Sequence, residues 1–195
     1  MIRFLAVALA IVWDLIFALF RSRTAVIAAI EIGLRRILHY NVTNHPTAEW
    51  TRQQFRELLS GESGHGYVLH DRDSVFSVEV DAALKGFGLR VLKTPVRSPM
   101  ANAYCERVIG TIRRECLDYL IPFSERHLKR ILREFIIHYN RGRPHSALGP
   151  GFPEANQATI PTSSHRHRLP QGYRIAKKLV LGGLHHEYRL EREVA

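Results

Sequence analysis

Two acidic residues, Asp71 and Glu106, carry the side chains that metal-dependent chemistry on a phosphodiester requires. Asp71 follows residues 67–70, a short apolar segment typical of a strand, and Glu106 lies 35 positions later in a helical pattern. Carboxylate oxygens are hard ligands for Mg²⁺, which activates a nucleophile and neutralises phosphate charge. The alternative is purely structural, with Asp71 capping a turn and Glu106 serving as a surface charge on its helix.

Basic side chains accompany these carboxylates. At about 100° per residue, Glu106 borders the apolar side of its helix, and Arg107 and Arg114 face outward beside it. These two arginines and seven further cationic side chains are candidates for phosphate contacts, and together they indicate a surface that faces nucleic acid. The set is Arg97, Arg107, Arg113, Arg114, Lys129, Arg130, Arg133, Arg141 and Arg143.

The overall composition is that of a globular protein with an anionic partner. The chain has 195 residues, 28 Lys and Arg against 18 Asp and Glu, and a formal charge of +10. Hydrophobic residues at 46% and charged residues at 24% argue against a disordered or fibrous chain. The length allows one full domain with an attachment. The positive charge fits nucleic acid or an anionic membrane surface.

Two cysteines, Cys105 and Cys116, bear on the compartment. On one helix they would lie about 16 Å apart, too far for a disulfide. Two thiols cannot complete a zinc site. We therefore expect a reduced, cytoplasmic protein.

The elements that must position Asp71 and Glu106 follow from periodicity and turn residues. The pattern predicts strand, strand, helix, strand, helix and strand, followed by two long helices, which is a mixed α/β domain. The ranges are 25–32, 35–43, 48–59, 67–70, 77–85, 89–93, 101–120 and 124–139. Beyond residue 150 we expect a linker and a short tail with a hairpin about Gly182 and Gly183.

Residues 4–20 differ in composition from the rest, with 17 residues and the single charge of Asp14. A membrane span needs about 20 apolar residues and would bury Asp14. A secretory signal would need a small-residue cleavage site, which the segment lacks. The Ala and Leu content favours a buried or interfacial helix, with membrane contact as the alternative.

Several ordered motifs resemble the integrase core of bacterial insertion-sequence transposases. This core belongs to the retroviral-integrase-like Asp-Asp-Glu group with a ribonuclease H-like fold. The resemblance covers about residues 29–150. The motifs are LHDRDSVF at 69–76, TP at 94–95, NAYCER at 102–107 and YNRGRPHSAL at 139–148.

The resemblance implies phosphoryl transfer in which water or a 3′-hydroxyl attacks DNA, with Mg²⁺ or Mn²⁺ as the cofactor. Asp71 matches the second Asp of the family and Glu106 the Glu, while Asp73 is not a ligand. His70 flanks Asp71 as a further candidate for DNA contact. The DNA-binding residues that we predict are Arg72, Arg97, Asn102, Arg107, Arg113 and Arg114.

The chain departs from the family where the first catalytic Asp is expected. No first strand is recognisable ahead of residue 25, and Asp14 is the only upstream Asp. We therefore predict that the first strand is missing or degenerate through an internal deletion. The predicted domains are an apolar N-terminal helix (1–24), an incomplete catalytic core (25–150), and a linker with a tail (151–195).

These expectations lead to one function and two alternatives. The first is DNA integration or transposition by an integrase-core protein that is inactive as written. The second is a catalytically dead fragment that binds DNA or pairs with intact transposase, and the third is a membrane-anchored basic domain. The expected partners are DNA and a homo-oligomer or intact transposase.

Overall fold

The computed structural model describes residues 3–11, 24–61, 64–95, 103–154, 169 and 171–193. The chain forms two compact units, Met1–Leu132 and Arg133–Ala195. The domain boundaries at residues 24 and 150 stay a prediction.

The elements follow the order predicted from the sequence, with one strand added at the beginning and a short one, Ala147–Pro150, added after the last helix. The first part of the chain contains β1 Arg3–Ile11, β2 Ala25–Glu31, β3 Arg36–Thr43, α1 Ala48–Gly61, β4 His65–His70, α2 Val78–Gly86, β5 Arg90–Lys93, α3 Ala103–Glu115 and a 3₁₀ turn Leu117–Tyr119. The rest contains α4 Glu125–Arg141, β6 Ala147–Pro150, β7 Tyr173–Val180, a 3₁₀ turn Leu181–Gly183 and β8 His185–Arg192. The predicted mixed α/β class is confirmed.

Five strands form one sheet in the order β3-β2-β1-β4-β5. The neighbours β3, β2 and β1 pair antiparallel, whereas β1, β4 and β5 pair parallel. The carboxyl ends of β1, β4 and β5 therefore lie at one edge of the sheet. Asp71 directly follows β4 at this edge.

The predicted absence of the first strand is wrong, because residues 3–11 form β1 at the centre of the sheet. The predicted N-terminal helix is therefore wrong over residues 4–11, and residues 12–20 lie outside the described residues. Leu5, Ala6 and Val7 are at most 1% exposed. A strand buried on both faces reads as a continuous apolar run without alternation. Pairing with two neighbouring strands outweighs the helix propensity of Ala and Leu.

The two faces of the sheet carry different helices. On one face, Leu5, Ile27 and Val68 share a core cluster with residues of α1 and α2, including Phe55 and Leu84. On the other face, α3 packs against β1 and β2. There Ala28 and Ile30 of β2 line a small void together with Cys105, Val108 and Ile109 of α3.

The C-terminal hairpin forms as predicted. Strands β7 and β8 pair antiparallel from Tyr173 opposite Arg192 to Val180 opposite His185. Gly182 and Gly183 have φ values of 68° and 105° at the turn, a region that favours glycine.

Two further observations concern the cysteines and the apolar character of the helices. Cys105 and Cys116 are buried thiols that no disulfide joins. Within the described ranges, no helix combines the length and the apolar character needed to cross a membrane.

Candidate active site

The loop that begins at Asp71 is held against the end of β5. The backbone N–H of Thr94 donates to the carbonyl of His70 at 3.1 Å. Arg72 Nε donates to the carbonyl of Thr94 at 3.0 Å. These two hydrogen bonds fix the backbone on both sides of Asp71. Arg72 itself is exposed, as its predicted role in DNA binding requires.

The carboxylate of Asp71 is half-buried, and one of its oxygens is used by the turn. Oδ1 accepts the backbone N–H of Asp73 at 3.1 Å. Oδ2 accepts no hydrogen bond from any described residue, so it can serve as a ligand. Asp73 is committed to the turn, since its Oδ1 accepts the backbone N–H of Val75 at 3.1 Å. Both roles considered for Asp71, turn cap and ligand, are compatible with this geometry.

His70 does not contact solvent, so the suggestion that it touches DNA is wrong. It is 0% exposed and stacks on Phe76 with ring centroids 4.4 Å apart. Its Nε2 lies 2.9 Å from Asp81 Oδ1 and its Nδ1 lies 2.5 Å from the carbonyl oxygen of Asp71. Both partners are hydrogen-bond acceptors, so each ring nitrogen of His70 faces an acceptor. Residues two positions apart on a strand point to the same face of the sheet. His70 therefore faces α1 and α2 together with Val68, which explains its burial.

Asp81 of α2 joins His70 to Lys93, the residue opposite His70 on β5. Lys93 Nζ lies 2.5 Å from Asp81 Oδ2. Burial raises the pKa of Asp81, but the hydrogen bonds from Lys93 and His70 outweigh it, so the pKa is lowered. Sequence reasoning missed this cluster. The helical spacing could have indicated it. Asp81 lies three positions before the buried Leu84, so the two residues share the buried side of α2.

Glu106 lies in the first turn of α3 and is exposed. The predicted apolar side of this helix is confirmed, with Cys105, Val108 and Ile112 buried. Among the described residues Glu106 has no hydrogen-bonding or ionic partner. A carboxylate in the first turn interacts favourably with the helix dipole.

The predicted DNA-binding residues of α3 lie on its outer surface. Arg107, Arg113 and Arg114 are exposed. Arg113 Nε lies 3.5 Å from Asp118 Oδ1, a surface pair of small energetic value. Arg97 and Asn102 lie outside the described residues, as does Asp14.

Among the described residues, no third carboxylate forms a metal-binding group with Asp71 and Glu106. The nine residues of β1, RFLAVALAI, contain no Asp or Glu. Within the part of the chain that the structure describes, no three His, Cys, Asp or Glu side chains could hold a metal ion together. Glu31 is buried at the opposite edge of the sheet, where Arg3 Nε lies 2.8 Å from its carboxylate.

Comparisons with known proteins agree with this arrangement of strands and helices. Residues 88–153 match the model of a family described as integrase core domain. The catalytic core domain of BIV integrase has a TM-score of 0.55 at 14% identity, covering 76% of this chain and 90% of that chain. The HTLV-2 integrase catalytic core domain in complex with magnesium has a TM-score of 0.58 at 12% identity, covering 75% and 90%.

Similarity to curated relatives covers a larger share of the chain than the family model does. A putative InsD transposase of an IS2 insertion element from Escherichia coli (strain K12) is 27% identical over 139 residues, which are 66% of this chain and 62% of the relative. A second InsD transposase from Escherichia coli is also 27% identical, and there the match covers 45% of the relative. The chain thus spans about half the length of these relatives.

The fold is that of an integrase catalytic core with a ribonuclease H-like mixed sheet. Residues 88–153 match an integrase core domain, and the chain is similar to transposases of insertion elements.

Proposed function

We propose that this chain acts on DNA in transposition, with Asp71 and Glu106 as the carboxylates that hold a divalent metal ion. The observation that carries the proposal is the position of Asp71 at the carboxyl edge of the parallel strands, with Oδ2 available. The relatives are transposases of insertion elements, which supports the choice of DNA as the substrate.

Strand alternation supports a shared site. Val68 and His70 face α1 and α2, so Leu69 faces the opposite side of the sheet, and continued alternation predicts the same side for Asp71, the residue after β4. That face is covered by α3, which carries Glu106 at its exposed beginning. Both carboxylates are therefore expected on one side of the sheet.

The donor chemistry of this pair fits a hard cation. Two carboxylates with water in the other positions bind Mg²⁺ or Mn²⁺, and the neighbouring Arg72, Arg107 and Arg114 supply positive charge for phosphate. A bound Mg²⁺ or Mn²⁺ supplies Lewis-acid stabilisation of the phosphoryl oxygens. Asp71 and Glu106 would hold the ion, and the loop contacts to Thr94 would keep Asp71 in place.

The number of carboxylates limits the expected activity. Two-ion phosphoryl transfer needs ions about 3.5–4 Å apart with shared ligands. Since β1 contributes no carboxylate, we expect weak metal binding and no detectable DNA joining by the isolated chain. This feature also favours the second candidate function, a catalytically inactive DNA-binding protein that pairs with a complete transposase. The integrase cores of HTLV-2, described in dimeric and trimeric forms, support association between copies.

Metal binding tests the site directly. Mn²⁺ titration followed by water-proton relaxation should give weak binding that Asp71→Asn and Glu106→Gln each reduce at least about tenfold, since each removes one of two charged ligands. Asp73→Asn is the matched control, because its Oδ1 keeps the turn hydrogen bonds and binding should not change. Equal binding by Asp71→Asn and the unmodified chain would overturn the assignment.

Nicking of supercoiled plasmid DNA with Mg²⁺ or Mn²⁺ tests the expected lack of activity. We expect no nicking above the background of Asp71→Asn, and no effect of Asp14→Asn. Nicking by the unmodified chain that Asp14→Asn abolishes would show that Asp14 supplies the third carboxylate. The proposed inactivity would then be wrong.

DNA affinity is expected to be nonspecific and to fall steeply with salt. The net charge of +10 favours phosphate contacts, which carry affinity but little sequence information. Fluorescence anisotropy with random duplexes and duplexes from the element ends, at two salt concentrations, measures this. A strong preference for one sequence at high salt would contradict it.

A further inference from the structure

A glycine occupies the middle of α3, the helix that carries Glu106. Gly110 lies seven positions from the first residue of the helix and five from the last. Glycine is less favourable than every residue except proline inside a helix, because it loses the most backbone entropy. Its φ is not in the left-handed region, so the backbone conformation does not require glycine. Another property of Gly110 must account for its use.

The space that a side chain at Gly110 would fill is occupied by the guanidinium of Arg114. A Cβ at position 110 would lie 2.8 Å from Arg114 Nη1, 3.3 Å from Nη2 and 3.4 Å from Cζ. The three distances indicate that the planar group lies close against the helix backbone at Gly110. Arg114 makes no hydrogen bond or ion pair with any described residue, so its N–H donors are available.

Gly110 is also the centre of a charged helix surface. Residues three and four positions apart on a helix are neighbours. The neighbours of Gly110 are therefore Glu106 and Arg107 on one side and Arg113 and Arg114 on the other. Lying over Gly110, the guanidinium of Arg114 is about one turn closer to Glu106 and Arg107 than an outward-pointing side chain would be.

We propose that Gly110 is a positioning residue for DNA: it lets the Arg114 guanidinium lie along α3 beside Arg107, so that both bind a backbone phosphate next to Glu106. The inference rests on the proposed function, since it assumes that DNA approaches α3 at Glu106. It assigns a role in DNA binding to a residue that has neither a charge nor a hydrogen-bonding side chain. A Cβ at position 110 would displace the guanidinium and weaken the phosphate contact.

The test compares Gly110→Ala with Arg114→Gln in binding to a duplex oligonucleotide, measured by fluorescence anisotropy across a series of salt concentrations. One lost phosphate contact lowers the slope of log K against log salt by about 0.9 and weakens binding about fivefold to tenfold near 0.1 M salt. We expect both variants to show this loss. The double variant should bind no more weakly than Arg114→Gln, since both changes remove the same contact.

Thermal unfolding separates this role from a structural one. Gly110→Ala should raise the unfolding midpoint, because alanine is the better helix former, while DNA affinity falls. Gly86→Ala is the matched control: the Cβ would meet nothing within 4 Å at the end of α2, and DNA binding should not change.

Three outcomes would overturn the inference. They are unchanged affinity in Gly110→Ala while Arg114→Gln binds more weakly, unchanged affinity in Arg114→Gln, or a lowered unfolding midpoint in Gly110→Ala. Failure of the unmodified chain to bind duplex DNA at low salt would instead contradict the proposed function.

Discussion

In the first compact unit Asp81 lies between His70 and Lys93, and in the second Glu187 of β8 lies between His138 of α4 and Lys178 of β7. The distances to the histidine nitrogen are 2.9 Å and 3.0 Å. Those to the lysine Nζ are 2.5 Å and 3.1 Å. The same three residue types thus form nearly the same contacts in both units.

The two clusters differ in depth and in what they connect. The side chain of Asp81 is 12% exposed and that of Glu187 is 21% exposed. Asp81 links β4, α2 and β5, and its histidine also contacts the backbone of Asp71. Glu187 attaches the β7–β8 hairpin to the second half of α4. The comparison teaches that burial and location, more than residue type, decide whether such a cluster supports a site or attaches a hairpin.

The largest effect is expected for Asp81→Ala. It leaves His70 fully buried with Nε2 facing no acceptor, and breaking a buried pair costs about 3 kcal/mol or more. Chemical denaturation measures the free energy of unfolding. Asp118→Ala, which removes the exposed partner of Arg113, is the control and should change little. Similar stability of Asp81→Ala and the control would show that the cluster in the first unit is not important for stability.

Glu187→Ala is expected to have a smaller effect, about 1–2 kcal/mol, because the carboxylate is closer to solvent. The hairpin amides of β7 and β8 should exchange with deuterium faster, while the amides of β4 stay protected. Glu193 directly follows β8 and lies outside the cluster, so Glu193→Ala is the control and should leave exchange unchanged. If β4 also loses protection, the two clusters are not independent.

Gly142→Ala tests how tightly the second cluster is packed. A Cβ at Gly142 would lie 2.7 Å from both Cδ and Cγ of Glu187, so the glutamate must move away from His138. We expect a loss of about 1 kcal/mol. In a double-mutant cycle the loss should shrink when Glu187 is already alanine, because the clash is then absent. Fully additive losses would contradict this account.

Lowering the pH is expected to weaken both clusters. The free energy of unfolding should fall less than it does in the substitutions described above. Burial raises the pKa of Glu187, but the hydrogen bonds from His138 and Lys178 outweigh it, and the pKa is lowered from 4.5. The pKa of Asp81 is lowered from 3.8. A carboxylate with a depressed pKa stabilises the fold above its ordinary pKa, and the contribution is lost as the pH falls through the folded-state value. Stability should therefore fall below about pH 4.

The matched variants for this measurement are Asp81→Asn and Glu187→Gln, compared by denaturation at about pH 6 and about pH 3. Each should reduce the difference in stability between the two pH values, and Asp81→Asn should reduce it more. An equal pH dependence in both variants and the unmodified chain would show that other carboxylates control the acid response.

Local patterns in the sequence were sufficient for most of the elements. Alternation predicted β3, and helical spacing predicted the buried side of α3 with Cys105, Val108 and Ile112. The strand β1 was missed because its apolar run has no period, and only its position between β2 and β4 makes it a strand. The roles of Asp71 and Glu106 stay predictions that the resemblance and the position of Asp71 support.

The sequence by itself determined the α/β class, the excess of positive charge and the family resemblance, because these depend on composition, spacing and short motifs. Only the tertiary structure decided that β1 is central, that His70 is buried against Asp81, and that Gly110 makes room for Arg114. Each of these depends on contacts between residues whose positions are set by packing in space. A side chain such as His70, next to a candidate metal ligand in sequence, can point to the opposite face of the sheet because strand residues alternate.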